Sequence, residues 1–180
     1  MTDATEVTIR AGRASDLGAL TEIYNGYVRD TPITFDTEPF TVEARRPWLH
    51  AHPPHGPHRL FVAEETKDGG RVLGYATSSA FRPKAAYSTS VEVTVYCAEG
   101  AGGRGVGTLL YEALFEALSD EDVHRAYAGV TQPNEASVRL HTRFGFRPVG
   151  TYREVGRKFG RYHDVAWFEK ELGDERPGNS

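Results

Sequence analysis

The feature that most constrains this chain is a run of glycines between a strand and a helix. Residues 100–107 read GAGGRGVG. Ahead of them, Ser90 to Cys97 (SVEVTVYC) alternates as a strand does. Behind them, Val106, Leu109, Leu110, Ala113, Leu114, Ala117 and Leu118 recur at helical spacing. Glycines at such a junction let backbone N–H groups converge on an anion at the positive end of the helix dipole. The stretch Gly100-Ala101-Gly102-Gly103-Arg104-Gly105 matches the G-x-G-x-x-G of dinucleotide folds. The next strand, however, ends in Val130-Thr131, without the acidic residue that would hold a ribose. A phosphate-binding P-loop requires Lys-Ser/Thr after its last glycine, and Val106 follows Gly105 instead. A flexible connector is the bland reading, although four glycines ahead of a strong helix exceed what a turn requires.

The rest of the chain supplies a sheet and its helices. Val7 to Ala11 (VTIRA) reads as a first strand. Ser15-Asp16 offers a cap for a helix of about four turns carrying Leu17, Leu20, Ile23, Tyr24 and Tyr27. Asp30 to Phe40 holds two prolines and reads as a loop. A weaker helix starts at Thr41 and stops before Pro53-Pro54. RLFVAEE, a KDGG turn and RVLGYATSSAF predict a β-hairpin. A strand over 123–130, an amphipathic helix over 134–144 closed by Gly145, and strands near 146–154 and 162–169 complete the order. This predicts an α/β (α+β) class, a mixed sheet with helices on both faces. A single domain over 1–172 is expected, followed by a disordered tail over 173–180 (GDERPGNS at its end).

Composition excludes several partners. Against 21 Lys plus Arg stand 25 Asp plus Glu, a net charge of −4 with no basic field for nucleic acid. No apolar run approaches the ~20 residues of a membrane helix, so a cytoplasmic protein without a membrane partner is expected. The single cysteine, Cys97, excludes an internal disulfide and a Cys-based zinc cluster. His50, His52, His55 and His58 (HAHPPHGPH) imitate a ligand set. The prolines keep them extended, neither cysteine nor a nearby carboxylate completes a shell, and no metal is expected.

Taken together, the motifs resemble the GNAT (Gcn5-related N-acetyltransferase) superfamily. Its cofactor loop, Gln/Arg-x-x-Gly-x-Gly/Ala, corresponds to Gly102-Gly103-Arg104-Gly105-Val106-Gly107, with the arginine displaced from the first position. Its second signature corresponds to Asn134-x-x-Ser137-x-x-Leu140-His141, followed by Gly145-Phe146. His141, TPITFDTEP at 31–39, Ala86-Tyr87, and Glu92-Val93-Thr94-Val95-Tyr96 resemble the phosphinothricin and methionine sulfoximine N-acetyltransferase subgroup. The resemblance implies a central twisted, mostly antiparallel sheet flanked by helices, acetyl-CoA as co-substrate and a homodimer. It implies direct transfer to the α-amine of phosphinothricin, methionine sulfoximine or methionine sulfone.

Residue roles follow from the same resemblance. Thr94, Val95 and Tyr96 would line the cofactor's pantetheine arm on a strand splayed from its neighbour. Residues 102–107 would cradle its phosphates, and Asn134 would bond it. Glu92 shares a strand face with Thr94 and Tyr96, and a raised pKa would suit it as base; a surface glutamate is the ordinary alternative. His141 suits either direction of proton transfer, or a structural place. Arg82, Lys84, Tyr87 and Phe35 would meet the substrate, although a solvated basic loop and core aromatics explain them equally. Two other activities stay open: a CoA-binding sensor without turnover, and acetylation of another amine or a protein N-terminus.

Overall fold

The computed structural model describes residues 7–66 and 70–173. Most of the KDGG turn and the expected tail beyond Gly173 lie outside the described residues. The chain runs β1 (Val7–Ala11), α1 (Leu17–Asp30), α2 (Val42–His50), β2 (Leu60–Glu65), β3 (Val72–Ala80), β4 (Ser90–Cys97) and α3 (Val106–Leu118). It continues through β5 (Arg125–Thr131), α4 (Glu135–Arg143), β6 (Arg147–Lys158) and β7 (Arg161–Glu171). One sheet orders the strands β1-β2-β3-β4-β5-β7-β6. Every neighbouring pair is antiparallel except β4 and β5, which are parallel.

Strand periodicity divides β4 between two environments. Val91 and Val93 point into the larger core with Leu110, Tyr111 and Leu114 of α3. Glu92, Thr94 and Tyr96 point to the opposite face. There, Leu20 of α1 joins Leu60, Val62 and Tyr75, with Trp48 of α2 packed against them. The start of α1 differs from the sequence expectation. Residues Ala14–Asp16 form a 3₁₀ turn, and the Asp16 side chain makes no capping bond to α1. Its carboxylate instead accepts the Arg13 N–H at 2.7 Å and the Arg10 guanidinium through two 2.8 Å bonds. A charged partner outbids the cap because charge-assisted bonds are about twice as strong as neutral ones. Thr41 does cap α2, its hydroxyl accepting the Ala44 N–H at 3.2 Å. Gly145 closes α4 at φ +80° and donates to the Thr142 carbonyl at 3.0 Å.

Candidate active site

The site begins where the sheet parts. β4 and β5 pair only through Ser90–Arg125, Val91–Ala126 and Glu92–Tyr127. Beyond that point β4 stays bonded to β3, while β5 follows β7. The gap is lined by Val93, Thr94, Val95 and Tyr96 on one side and Ala128 to Thr131 on the other. Asn134, Ser137 and His141 of α4 close it. A parallel ladder that stops mid-strand leaves the N–H and C=O groups facing the gap for another extended chain.

The glycine loop lies at the same end. Gly103 and Gly105 both hold φ +76°, a conformation that side-chain-bearing residues rarely adopt, and Gly105 caps α3. An added Cβ at Gly107 would meet Leu140 at 3.3 Å, so this glycine lets α3 and α4 approach. Between the two helices a groove of about 280 Å³ is lined by Gly105, Gly107, Thr108, Ala136, Arg139, Leu140 and Arg143. A helix N-terminus facing two arginines suits phosphate oxygens. Neither Arg139 nor Arg143 was among the expected cofactor residues, although their i, i+4 spacing on an amphipathic helix was the available signal. Other loop positions serve differently. Arg104 is turned to Glu65 of β2 at 3.0 Å, and the Val106 side chain is a core residue at 1% exposure. Gly102 lies on the open loop. Asn134 caps α4 by accepting the Ser137 N–H at 3.1 Å, while still lining the gap.

A second cleft, of about 280 Å³, opens on the α1–α2 side of β4. It is bounded by Tyr24, Asp36, Phe40, Arg45, Trp48, Tyr75, Thr77, Ser79, Glu92, Thr94 and Tyr96, with Ala44. Thr94 and Tyr96 border both openings. Among the described residues no hydrogen bond reaches the Glu92 carboxylate. Burial raises its pKa above the ordinary carboxylate value, and the Arg82 cation partly counters that. Thr94 and Thr77 share a hydroxyl bond of 2.8 Å across β4 and β3. Tyr96 packs edge-on against Tyr24 and Tyr27, with ring centroids at 5.3 and 4.9 Å.

His141 is 3% exposed and fully engaged. Its Nδ1 lies 2.7 Å from the Ser137 carbonyl oxygen, which only accepts, so Nδ1 carries the proton. Nε2 then accepts the Tyr111 hydroxyl at 2.9 Å. Burial lowers the imidazole pKa, opposed by the Ser137 bond.

The expected substrate residues are dispersed. Arg82 stacks over Phe81 at 4.2 Å and lines a separate cleft with Tyr127, Trp167 and Gly150. Lys84 is exposed. Tyr87 is half exposed, its ring 5.9 Å from Phe81. Phe35 leans on Gly156 of β6, near His163. Of the four histidines at 50–58, His52 is buried, its ring nitrogens engaged by the Trp48 carbonyl (2.7 Å) and Ser79 hydroxyl (2.9 Å). Burial pushes the Cys97 thiol pKa up, away from thiolate chemistry at neutral pH.

Comparisons with known proteins agree with this geometry. The family described as acetyltransferase (GNAT) domain matches residues 9–167. A phosphinothricin N-acetyltransferase of Streptomyces coelicolor is 66% identical over 172 residues, covering 96% of this chain and all of the relative. An L-methionine sulfoximine/L-methionine sulfone acetyltransferase of Pseudomonas paraeruginosa is 32% identical over 169 residues, covering 94% and 96%. A GNAT superfamily phosphinothricin acetyltransferase from Sinorhizobium meliloti, solved in complex with acetyl-CoA, superposes with a TM-score of 0.89. It is 28% identical and covers 96% of this chain and 92% of that one. The yncA structure from Salmonella typhimurium, which contains its cofactor acetyl-CoA, gives a TM-score of 0.88 at 30% identity, covering 98% and 99%. With a split β4/β5 ladder, a glycine-capped α3 and these relatives along its length, the chain belongs to the GNAT acetyltransferase family and is an acetyl-CoA-dependent acyltransferase.

Proposed function

We propose that the protein acetylates the α-amine of a small amino-acid analogue of the phosphinothricin, methionine sulfoximine or methionine sulfone type. Transfer is direct, in a ternary complex, with no acyl-enzyme. The observation that carries this reading is the meeting of two clefts at Thr94 and Tyr96. One cleft is an open strand edge beside a glycine-capped helix, which suits the pantetheine arm and phosphates of acetyl-CoA. The other is a small cavity with aromatic walls, holding the half-buried Glu92 carboxylate, which no hydrogen bond from the described residues reaches. In this scheme Thr94, Val95 and Tyr96 border the thioester. A freed backbone N–H of β4 polarises its carbonyl, worth about 3 kcal/mol of barrier. Glu92 takes the ammonium proton, directly or through one water; the free amine then attacks the thioester carbonyl, the C–S bond breaks, and CoA leaves as the thiol with the proton lost by the new amide nitrogen. Relatives named for phosphinothricin and methionine sulfoximine support the substrate class.

A second reading, acetylation of a protein N-terminus, draws on one neighbour. A structure titled ribosomal-protein-alanine N-acetyltransferase, from Brucella melitensis, is 35% identical with a TM-score of 0.84. The small volume around Glu92 favours the small acceptor. Thiol release from acetyl-CoA separates the two, using phosphinothricin, methionine sulfoximine, methionine sulfone, common amino acids and an alanine-starting peptide. Saturable turnover on the first three, with kcat/KM above about 10⁴ M⁻¹s⁻¹, is expected. Turnover on the peptide alone favours the second reading. Tight CoA binding without turnover on any amine would make the protein a sensor.

We further propose a cytoplasmic homodimer. Acetyl-CoA is an intracellular co-substrate, and no helix among the described residues is long and apolar enough to cross a membrane. Val149, Tyr152, Val155, Phe159 and Tyr162 expose a large apolar surface on the outer β6–β7 hairpin, which supports self-association. A monomeric mass in solution, unchanged by Tyr152→Glu, would exclude the dimer.

A further inference from the structure

Two buried side-chain nitrogens among the described residues reach no acceptor, Arg45 Nη1 and Arg125 Nη1. Arg125 has an ion partner, Glu171 at 3.7 Å. None of the ion pairs among the described residues includes Arg45. Arg45 is 5% exposed, sits on α2, and lines the cleft that holds Glu92. A guanidinium remains charged at any ordinary pH, and burying it without an anion is strongly unfavourable. Two aromatic faces offset part of this cost, with Trp48 at 4.0 Å and Tyr24 at 4.5 Å from the guanidinium carbon. Ring faces satisfy the positive plane, not the N–H fork along its edge. Neighbouring groups do not complete the fork either. Asp36, in the same cleft, bonds the Tyr24 hydroxyl through Oδ2, and no ion pair among the described residues joins it to Arg45. The Tyr75 hydroxyl meets part of the fork as a neutral acceptor, which leaves Nη1 unpaired, and Glu92 sits opposite Ser79, four residues farther along β3.

We propose that Arg45 anchors an anionic oxygen group of the acceptor, leaving its amine between Thr94 and Glu92. This rests on the acetyltransferase reading above and deepens it. The cleft then has a cation at one end and a proton acceptor at the other. The hydroxyls of Thr77 and Thr94 lie between them. An amino acid with an anionic group and a free amine matches that polarity, whereas a plain alkylamine does not. The anionic oxygens come from either of two places on such a substrate, the α-carboxylate or a side-chain phosphinate.

Steady-state kinetics of Arg45→Gln and Arg45→Lys, beside the unaltered protein, distinguish these. The acceptors are phosphinothricin, methionine sulfone and methionine sulfone carboxamide. The expected result for Arg45→Gln is a rise of about 10- to 100-fold in acceptor KM, with the acetyl-CoA KM unchanged. If the α-carboxylate is held, both acids suffer and the carboxamide is equally poor in all three proteins. If the phosphinate is held, phosphinothricin alone suffers. Arg45→Lys keeps the charge without the fork and is expected to recover part of the loss. Should Arg45→Gln lower kcat/KM for acids and carboxamide by one common factor, Arg45 merely packs α2, and the proposal fails while the acetyltransferase reading stands. If the unaltered protein turns over no amine, that reading fails first. Calorimetric binding of phosphinothricin to the unaltered protein and Arg45→Gln then tests the anchor alone, and equal affinity overturns it.

Discussion

Glu92, half-buried, and His141, buried, are both titratable and both beside the β4/β5 gap, yet they differ in what their polar atoms do. The Glu92 carboxylate faces a cleft with no hydrogen bond from the described residues, and burial raises its pKa. The His141 ring spends both nitrogens on Ser137 and Tyr111, among Phe146 and Phe168. A buried group with unspent bonding capacity is poised to exchange a proton with something that arrives. A buried group with none is holding the structure in place. Within the proposed acetyl transfer, the contrast favours Glu92 as the base and gives His141 the proposed part of supporting the α3–α4 wall.

The strongest test is Glu92→Gln. The amide keeps the shape and loses the base, so kcat is expected to fall about 10²- to 10⁴-fold. The KM for acetyl-CoA and the melting temperature should stay near those of the unaltered protein. The pH profile sharpens this. A raised carboxyl pKa places the acidic fall of kcat/KM above the ordinary value of 4.5. That limb should vanish in Glu92→Gln, while a limb due to the acceptor's own ammonium should persist. An unchanged kcat would remove Glu92 from the reaction.

His141→Asn probes the other side. The variant strands the buried Tyr111 hydroxyl, a loss of about 1–3 kcal/mol. In a chain of this size that corresponds to about 2–12 °C in Tm. If His141 is structural, kcat falls less than about tenfold and tracks the stability loss. A fall as deep as that of Glu92→Gln, with Tm intact, would break the comparison and restore His141 as a proton carrier.

The fold was open to sequence reading because each element carried its own signal. The alternation of Ser90 to Cys97 fixed which side chains share a face, and that alone set Glu92 beside Thr94 and Tyr96. What resisted were relations between distant elements. No local pattern marks Glu92 and Tyr127 as the last bonded pair before β4 and β5 separate. Arg45 looked like any polar residue of a weak helix. Only the packing of α2, with its own Trp48, against Tyr24 and Tyr75 buries it. Arg82 and Phe35 lay close in sequence to recognisable motifs, yet the β3–β4 connection and the loop after α1 carry them to the walls formed by β6 and β7.

The smallest expected effect concerns the pH dependence of stability. Burial is the main cause that lowers the pKa of both His141 and His52 in the folded state, below the ordinary imidazole value of 6.5. Between the folded and unfolded values the unfolded chain binds more protons, so stability rises with pH and is lost on acidification below about 6.5. Each histidine contributes at most about 1.4 kcal/mol per pH unit in that window. Glu92 acts oppositely, since its raised pKa makes the folded state the better proton binder above 4.5. Asp16, lowered below 3.8 by Arg10 and the Arg13 N–H against its burial, loses its contribution only in stronger acid. The melting temperature should therefore drop from pH 7 to pH 5.5, less steeply in His141→Asn and more steeply in Glu92→Gln. A melting temperature that instead rises toward pH 5.5 in the unaltered protein, and loses that rise in His141→Asn, would mean that the folded state holds a proton on His141 more tightly than the unfolded chain does. An imidazolium there would be able to protonate the departing thiolate, whereas the neutral ring, donating to Ser137 and accepting from Tyr111, has no proton to give.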